Sequence, residues 1–416
     1  MKNTIIRIST AGSVDDGKST LIGRLLYDSK AIFADQYEAL EELSRRRGQD
    51  GIDLAMLTDG LRAEREQGIT IDVAYRYFAT PKRKFILADT PGHIEYTRNM
   101  VTGSSTSNVS VILVDARHGV VEQTRRHFFI ASLLGIPHIV FCINKMDLVD
   151  YAEEVFENIK SGLTKLSEEI TKADLYFVPT SALLGDNIVN GSDKMPWYKG
   201  DTLMQILENI DISDDHSHVD ARFPVQMVIR PQSAEHGDYR GYAGRVAGGS
   251  FKSGDLVTIL PSGISTKIKS IDTFSMDVVE ALAPMSITIT LEDDIDVGRG
   301  SMIVKQDDKK PVVGQELEIV LCWLNSRELR VGGTYSIRHA TNDARCIVQD
   351  IKHKIDIATF QQIEDNKQIG MNDIARVSIK TTKPLVYDKY SENRVTGSII
   401  LIDENTNETV GAGMIV

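Results

Sequence analysis

A glycine, four residues and then Gly-Lys-Ser, "GSVDDGKS" from Gly12 to Ser19, is the spacing by which a backbone loop closes around a phosphate group. Amides of Ser13, Val14, Asp15, Asp16 and Gly17 can converge there, Lys18 can reach the β and γ oxygens, and the Ser19 hydroxyl can serve Mg²⁺, with Thr20 next in the same turn. Downstream, "ILADTPGH" ends an apolar run at Asp89, a suitable acceptor for a Mg²⁺-bound water; Thr90, Pro91, Gly92 and His93 follow. The Gly92 N–H can bond a γ-phosphate oxygen only while that phosphate exists. A third apolar run ends in "CINKMD", giving Asn144, Lys145, Met146 and Asp147. A carboxylate accepts from guanine N1–H and the 2-amino group, whereas adenine offers an acceptor at N1 and no 2-amino donor, so Asp147 selects GTP over ATP. Ser181, Ala182 and Leu183 follow "LYFVPT" and can point a backbone N–H at guanine O6. Between the first two motifs lies "LRAEREQGITID", Leu61 to Asp72. There Thr70 is the candidate second hydroxyl for Mg²⁺ and the γ-phosphate sensor, with Thr58 as its competitor.

These groups need strands that end together. "IIRIS", "KFILAD", "VSVILVDA", "HIVFCIN" and "LYFVPTS" alternate with amphipathic stretches up to about Leu207, which predicts a mostly parallel sheet with helices on both faces. "IDVAYRYF", Ile71 to Phe78, has apolar side chains at every second position and predicts an edge strand. After Leu207 the acidic stretch "DISDDHSHVDARFP" reads as a linker; Asp214, Asp215, His216 and His218 in it are read as solvated rather than as a metal site. Short β runs punctuated by Gly and Pro follow, and "KQDDKKP" at Lys305 to Pro311 divides them in two. The expected plan is a nucleotide domain over 1–210, a linker over 211–221, and β domains over 222–305 and 306–416.

With 416 residues, 42% apolar and 25% charged, the chain has the composition of a soluble globular protein of several domains. No run approaches the ~20 apolar residues of a membrane span, and "MKNTIIRIST" is unlike a signal peptide, so a cytoplasmic location is expected. Three scattered cysteines, Cys142, Cys322 and Cys346, argue against a disulfide framework or a cysteine metal site. The net charge of −12 gives no general attraction to nucleic acid or anionic lipid, and neither is expected as a partner. The basic run "SRRRG" at Ser44 to Gly48 is read as a solvated helix face.

The order GSVDDGKS, DTPGH, NKMD, SAL, joined by "EREQGITID", resembles the translation-factor class of GTPases. The resemblance implies an α/β phosphate-loop GTPase domain followed by two all-β barrels, the three-domain plan of elongation factor Tu. It implies that His93 positions the hydrolytic water, alongside Lys18 and Thr70, and that Val14 and Ile69 form an apolar gate before His93. Within that class, elongation factor Tu-like chains carry histidines where this chain has Ser13 and Asp16. "DTPGHIEYTRNMVTGSSTSN", "DARHGVVEQTRRHFFIASLLGI", "DYRGYAG" and "DDIDVGRG" are instead similar to the GTPase subunit of bacterial sulfate adenylyltransferase. That family implies a separate catalytic subunit, which makes adenosine 5′-phosphosulfate and diphosphate from ATP and sulfate while this subunit hydrolyses GTP. The sequence has no S-G-G-x-D-S loop for the ATP chemistry and no second phosphate loop for a fused kinase. The alternative is a translation elongation factor-type GTPase that delivers aminoacyl-tRNA.

Overall fold

The computed structural model describes residues 5–30, 54, 70–93, 96–212, 219–231, 239–273, 278–356, 359, 361–364 and 367–416. The chain forms two compact units, Met1–Ile212 and Ser213–Val416.

The first unit holds β1 (Ile5–Ala11), α1 (Lys18–Asp28), β2 (Ala74–Ala79), β3 (Lys84–Asp89), α2 (Thr97–Ser104), β4 (Val109–Asp115), α3 (Glu122–Leu133), β5 (His138–Asn144), α4 (Glu153–Ile170), β6 (Asp174–Pro179) and α5 (Leu203–Asn209). Its six-stranded sheet has the order β2-β3-β1-β4-β5-β6, parallel throughout except for the β2–β3 pair. Every residue of β4 and β5 is buried, as an unbroken apolar run sandwiched between helices requires. Leu21, Ile22 and Leu25 of α1 pack with Ile6, Ile8, Val111 and Val140 beneath them. Because the strands are parallel, the loop after β1, Asp89, Asp115, Asn144 and the turn after β6 all emerge at one edge. Carboxyl ends of strands beside a change in strand order are where open α/β sheets bind ligands.

β2 starts later than the alternating pattern suggested. The Asn99 side-chain amide donates to the Ile71 carbonyl at 2.8 Å, and the Asp72 carboxylate accepts from the Val73 amide, so these two backbone groups are bonded to side chains instead of a neighbouring strand.

The second unit is all β: β7 (Arg222–Ile229), β8 (Gly241–Arg245), β9 (Ser250–Lys252), β10 (Leu256–Leu260), β11 (Ile264–Asp272), β12 (Glu280–Leu282), β13 (Ser286–Leu291), β14 (Met302–Lys305), β15 (Val312–Trp323), β16 (Thr334–His339), β17 (Asn342–Ile355), β18 (Gln362–Ile363), β19 (Ile374–Tyr387), β20 (Ser398–Ile402) and β21 (Thr409–Ile415). Strands β10-β11-β13-β8-β7-β14 close into a barrel, with β9 and β12 paired beside it. The other sheet runs β16-β20-β21-β15-β19-β17-β18, and a β16–β17 pairing closes it too. Each barrel has its own apolar core, and closure leaves few strand edges open. An almost fully buried ion pair joins the two: Arg222 Nε and Nη2 meet the Asp388 carboxylate at 3.0 and 2.9 Å, and Thr396 Oγ1 donates to the same carboxylate at 2.6 Å. No described helix is long and apolar enough to cross a membrane.

Candidate functional site

Gly17 caps α1 with a φ of 91°, a left-handed turn that an L side chain would strain. A Cβ there would also lie 2.5 Å from Asn144 Nδ2. The loop is held internally by the Asp16 carboxylate, which accepts from the Ser13 amide at 2.6 Å. Val14 and Asp15 at its tip are exposed, Ser19 and Thr20 are half-buried, and Lys18 is buried.

The Lys18 ammonium donates to the Thr70 hydroxyl at 2.6 Å and to the buried Asp89 carboxylate. Three residues up to 71 positions apart in sequence thus meet at one cationic point. Thr90 Oγ1 donates to the Thr10 carbonyl at 2.5 Å, fixing the start of the next loop against β1. Gly92 lies so close to the phosphate loop that a Cβ on it would be 2.2 Å from the Gly12 carbonyl oxygen. His93 is half-buried, its ring 6.1 Å from that of Tyr96.

The base motif is tied into the same loop. Asn144 Nδ2 donates to the Asp16 carbonyl at 2.7 Å, Lys145 donates to the Asp15 carbonyl, and Asn144 Oδ1 accepts from the Ala182 amide at 2.9 Å. Met146 is buried beneath the turn carrying Asp147, which is half-buried; Ser181 is buried and Leu183 exposed. No hydrogen bond to the Asp147 carboxylate is found among the described residues. The predicted phosphate and base residues from Gly12 to Leu183 therefore line one edge of one sheet. Ile69, the competitor Thr58, the Ser44 to Gly48 run and the linker histidines lie outside the described residues.

Two supports were not singled out from the motifs. Asp115, at the end of β4, takes Arg117 Nη2 at 2.6 Å and Lys145 Nζ at 3.0 Å. Burial would raise its carboxyl, but the Arg117 and Lys145 bonds win and hold it well below the ordinary carboxylate range. On α3, Gln123 Nε2 donates to the Gly92 carbonyl at 2.6 Å, and buried His127 meets the Gly92 backbone. Burial pushes the His127 imidazole down to about 4, so it is neutral at physiological pH. Both residues sit inside a stretch that the family comparison had already made prominent, but only packing shows that they hold Gly92.

Burial raises the Asp16 carboxyl to about 6, with the Ser13 amide opposing, Asp115 pushing the same way, and Lys145 and His118 opposing. A folded-state value above the ordinary 3.8 means the fold favours protonated Asp16: the benefit is complete below about 4 and lost as pH rises through 6. Asp16→Asn keeps an acceptor for Ser13 without the charge. It is expected to stabilise the protein by roughly 1–3 kcal/mol at pH 8 and by much less near pH 4. Thermal melts at both pH values check this; a variant less stable at pH 8 contradicts it.

Residues 3–215 match the family model of the elongation factor Tu GTP binding domain, and residues 316–416 match that of GTP-eEF1A C-terminal domain-like proteins. Fold and site together define a GTP-binding protein of the elongation factor Tu class. Sulfate adenylyltransferase subunit 1 of Bacteroides thetaiotaomicron is 50% identical over 422 residues, covering 99% of this chain and 86% of the relative. That of Alteromonas mediterranea is 51% identical over 417 residues, covering 100% and 87%. The bifunctional enzyme CysN/CysC of Mycobacterium tuberculosis is 51% identical over 414 residues, covering 99% and 67%. Among solved structures, sup35 complexed with GMPPNP aligns with all of this chain and 94% of its own, with a TM-score of 0.45 and 21% identity. The chain belongs to the sulfate adenylyltransferase subunit 1 family.

Proposed function

We propose that this GTPase subunit hydrolyses GTP at the sheet edge described above. Hydrolysis there would drive the uphill formation of adenosine 5′-phosphosulfate and diphosphate from ATP and sulfate on a separate catalytic subunit. The observation that carries the site assignment is the convergence of Lys18, Thr70 and Asp89, with the base motif bonded to the same loop through Asn144 and Lys145. In this reading Lys18 and the loop amides bind the β and γ phosphates. Asp147 receives guanine N1–H and the 2-amino group, and the loop at Ser181 to Leu183 offers an amide to O6.

The donor set fits Mg²⁺. Ser19 offers a hydroxyl on the first turn of α1, and the Thr70 hydroxyl and Asp89 carboxylate already converge on one cation, leaving phosphate oxygens and waters to complete a hard-oxygen shell. When bound, the ion neutralises charge on the phosphates as the terminal group leaves. His93 orients the attacking water; its oxygen bonds to the γ phosphorus as the bond to the β–γ bridging oxygen breaks, giving GDP and phosphate. Gly92, held through its carbonyl by Gln123, presents its amide to the γ-phosphate, and Thr70 reports the same group from the other side. Val14, exposed at the tip of the phosphate loop, would supply one side of an apolar gate before His93; Ile69, assigned to the other side by resemblance, lies outside the described residues. The partner is the catalytic adenylyltransferase subunit, in a heterodimer or larger assembly, and the three buried thiols suit a reducing cytoplasm.

Reconstitution tests the reading. The chain, the catalytic subunit, ATP and sulfate should yield adenosine phosphosulfate in a GTP-dependent manner, and a yield indifferent to GTP rejects the coupling. In the same assembly His93→Ala should slow GTP hydrolysis by about 10²-fold or more with little change in GTP affinity. Unchanged turnover removes His93 from the mechanism. GTP-dependent capture of aminoacyl-tRNA would favour the delivery-factor alternative.

A further inference from the structure

Arg24 lies on α1, the helix that begins at Lys18, yet its side chain reaches the turn after β6. Its Nε donates to the Ala182 carbonyl at 3.3 Å and its Nη2 to the Leu183 carbonyl at 2.5 Å. Asp28, one helical turn on, is 3.8 Å from the guanidinium, and the Tyr27 ring centroid is 5.8 Å away, so with the two carbonyls four neighbours surround it. The turn lies in ordinary van der Waals contact with it: Gly185 has a φ of +84°, and a Cβ there would sit 3.7 Å from Arg24 Cδ. From the other side the Ala182 amide is held by Asn144, which also grips the phosphate loop at Asp16.

In a trans peptide the carbonyl and the next amide point in opposite directions. Tying the Ala182 carbonyl to Arg24 therefore aims the Leu183 N–H away from α1, while the Leu184 N–H is occupied by Ser181 Oγ at 3.3 Å. We propose that Arg24 is a positioning residue for base selection, holding the Leu183 amide where a six-position oxygen acceptor is favoured and a six-amino donor rejected. This rests on the assignment of Ser181 to Leu183 to the guanine site. It makes phosphate gripping and base reading parts of one rigid piece, because both of the turn's anchors lead back to the phosphate loop or its helix.

Binding of GTP, ITP and ATP to the full chain tests it, since GTP and ITP share the six-position oxygen and ATP does not. Arg24→Ala is expected to weaken GTP and ITP alike, each by about tenfold, and to leave ATP unchanged, so the GTP-to-ATP preference narrows. Arg24→Lys, which can still meet one carbonyl, should recover part of the loss. Equal weakening of all three nucleotides would make Arg24 a structural support of α1 and overturn the proposal, as would unchanged GTP binding. A wild-type chain with no preference for GTP and ITP over ATP would instead reject the guanine-site reading itself, whatever the variant does.

Discussion

Replacing Lys18 with alanine is expected to abolish useful GTP binding, with affinity falling by two orders of magnitude or more. The ammonium would make charge-assisted bonds to two phosphate groups in a site largely shut off from water, each worth roughly 1.5–3 kcal/mol. The substitution does more than remove those bonds. Lys18 is 7% exposed and Asp89 2% exposed, and they are hydrogen-bonded to each other, so the variant also takes a cation away from a buried carboxylate. Breaking one side of a buried pair destabilises by about 3–5 kcal/mol. Lys18→Met, with similar volume, and the double variant Lys18→Met, Asp89→Asn separate the two effects. The double variant should regain thermal stability and still fail to bind GTP, because its phosphate contact is absent. Calorimetric titration with GTP, beside a melting curve for each variant, reads both quantities. A folded Lys18→Ala protein with undiminished GTP affinity would remove the loop from the phosphate site.

What was legible in the sequence is what chemistry forces into short, contiguous stretches. The Gly-x4-Gly-Lys-Ser spacing made the loop from Gly12 to Ser19 stand out, and its meeting with Asp89 and Asn144 was foreseeable because carboxyl ends of parallel strands gather at one edge. The strand runs Leu256–Leu260 and Ser286–Leu291 were equally plain, since alternation or unbroken apolarity bounded by turns marks a strand without knowledge of its partners. Hidden were the residues whose role depends on a distant partner. Arg24 contacts a carbonyl 158 positions away, Gln123 one 31 positions away, and Arg222 pairs with Asp388 across 166. A lone arginine in a helix carries no local mark that separates it from a solvated one. Closure of the second barrel through β16 and β17 was hidden for the same reason, because pairing is set by which edges meet. Asp115 is intermediate: its place at a strand end was visible in "VSVILVDA", but its partnership with Lys145 required the β4–β5 register, which sets Asp115 opposite Asn144.

Asp147→Asn is expected to exchange the nucleotide preference from GTP to xanthosine triphosphate. Guanine presents two donors, N1–H and the 2-amino group, to a carboxylate that accepts with both oxygens. Asparagine keeps one acceptor and turns the other position into a donor, which faces the guanine 2-amino group and repels it. Xanthine has a carbonyl at that position, so donor and acceptor match again. Loss of a charge-assisted pair and creation of a donor–donor conflict should lower GTP affinity by on the order of a hundredfold or more, with a comparable gain for xanthosine triphosphate. The geometry favours a clean exchange. Asp147 sits on a short turn whose preceding residues, Asn144 and Lys145, are bonded to the phosphate loop, so the substitution changes the base contact and leaves the cradle in place. A second consequence follows in the reconstituted assembly: if hydrolysis drives adenylyl transfer, the variant should respond to xanthosine triphosphate and ignore GTP at moderate concentration. Retained GTP affinity would show that Asp147 does not read the base. Switched binding without switched product formation would separate nucleotide recognition from the coupling, placing the fault in the proposed link between the subunits and leaving the site itself intact.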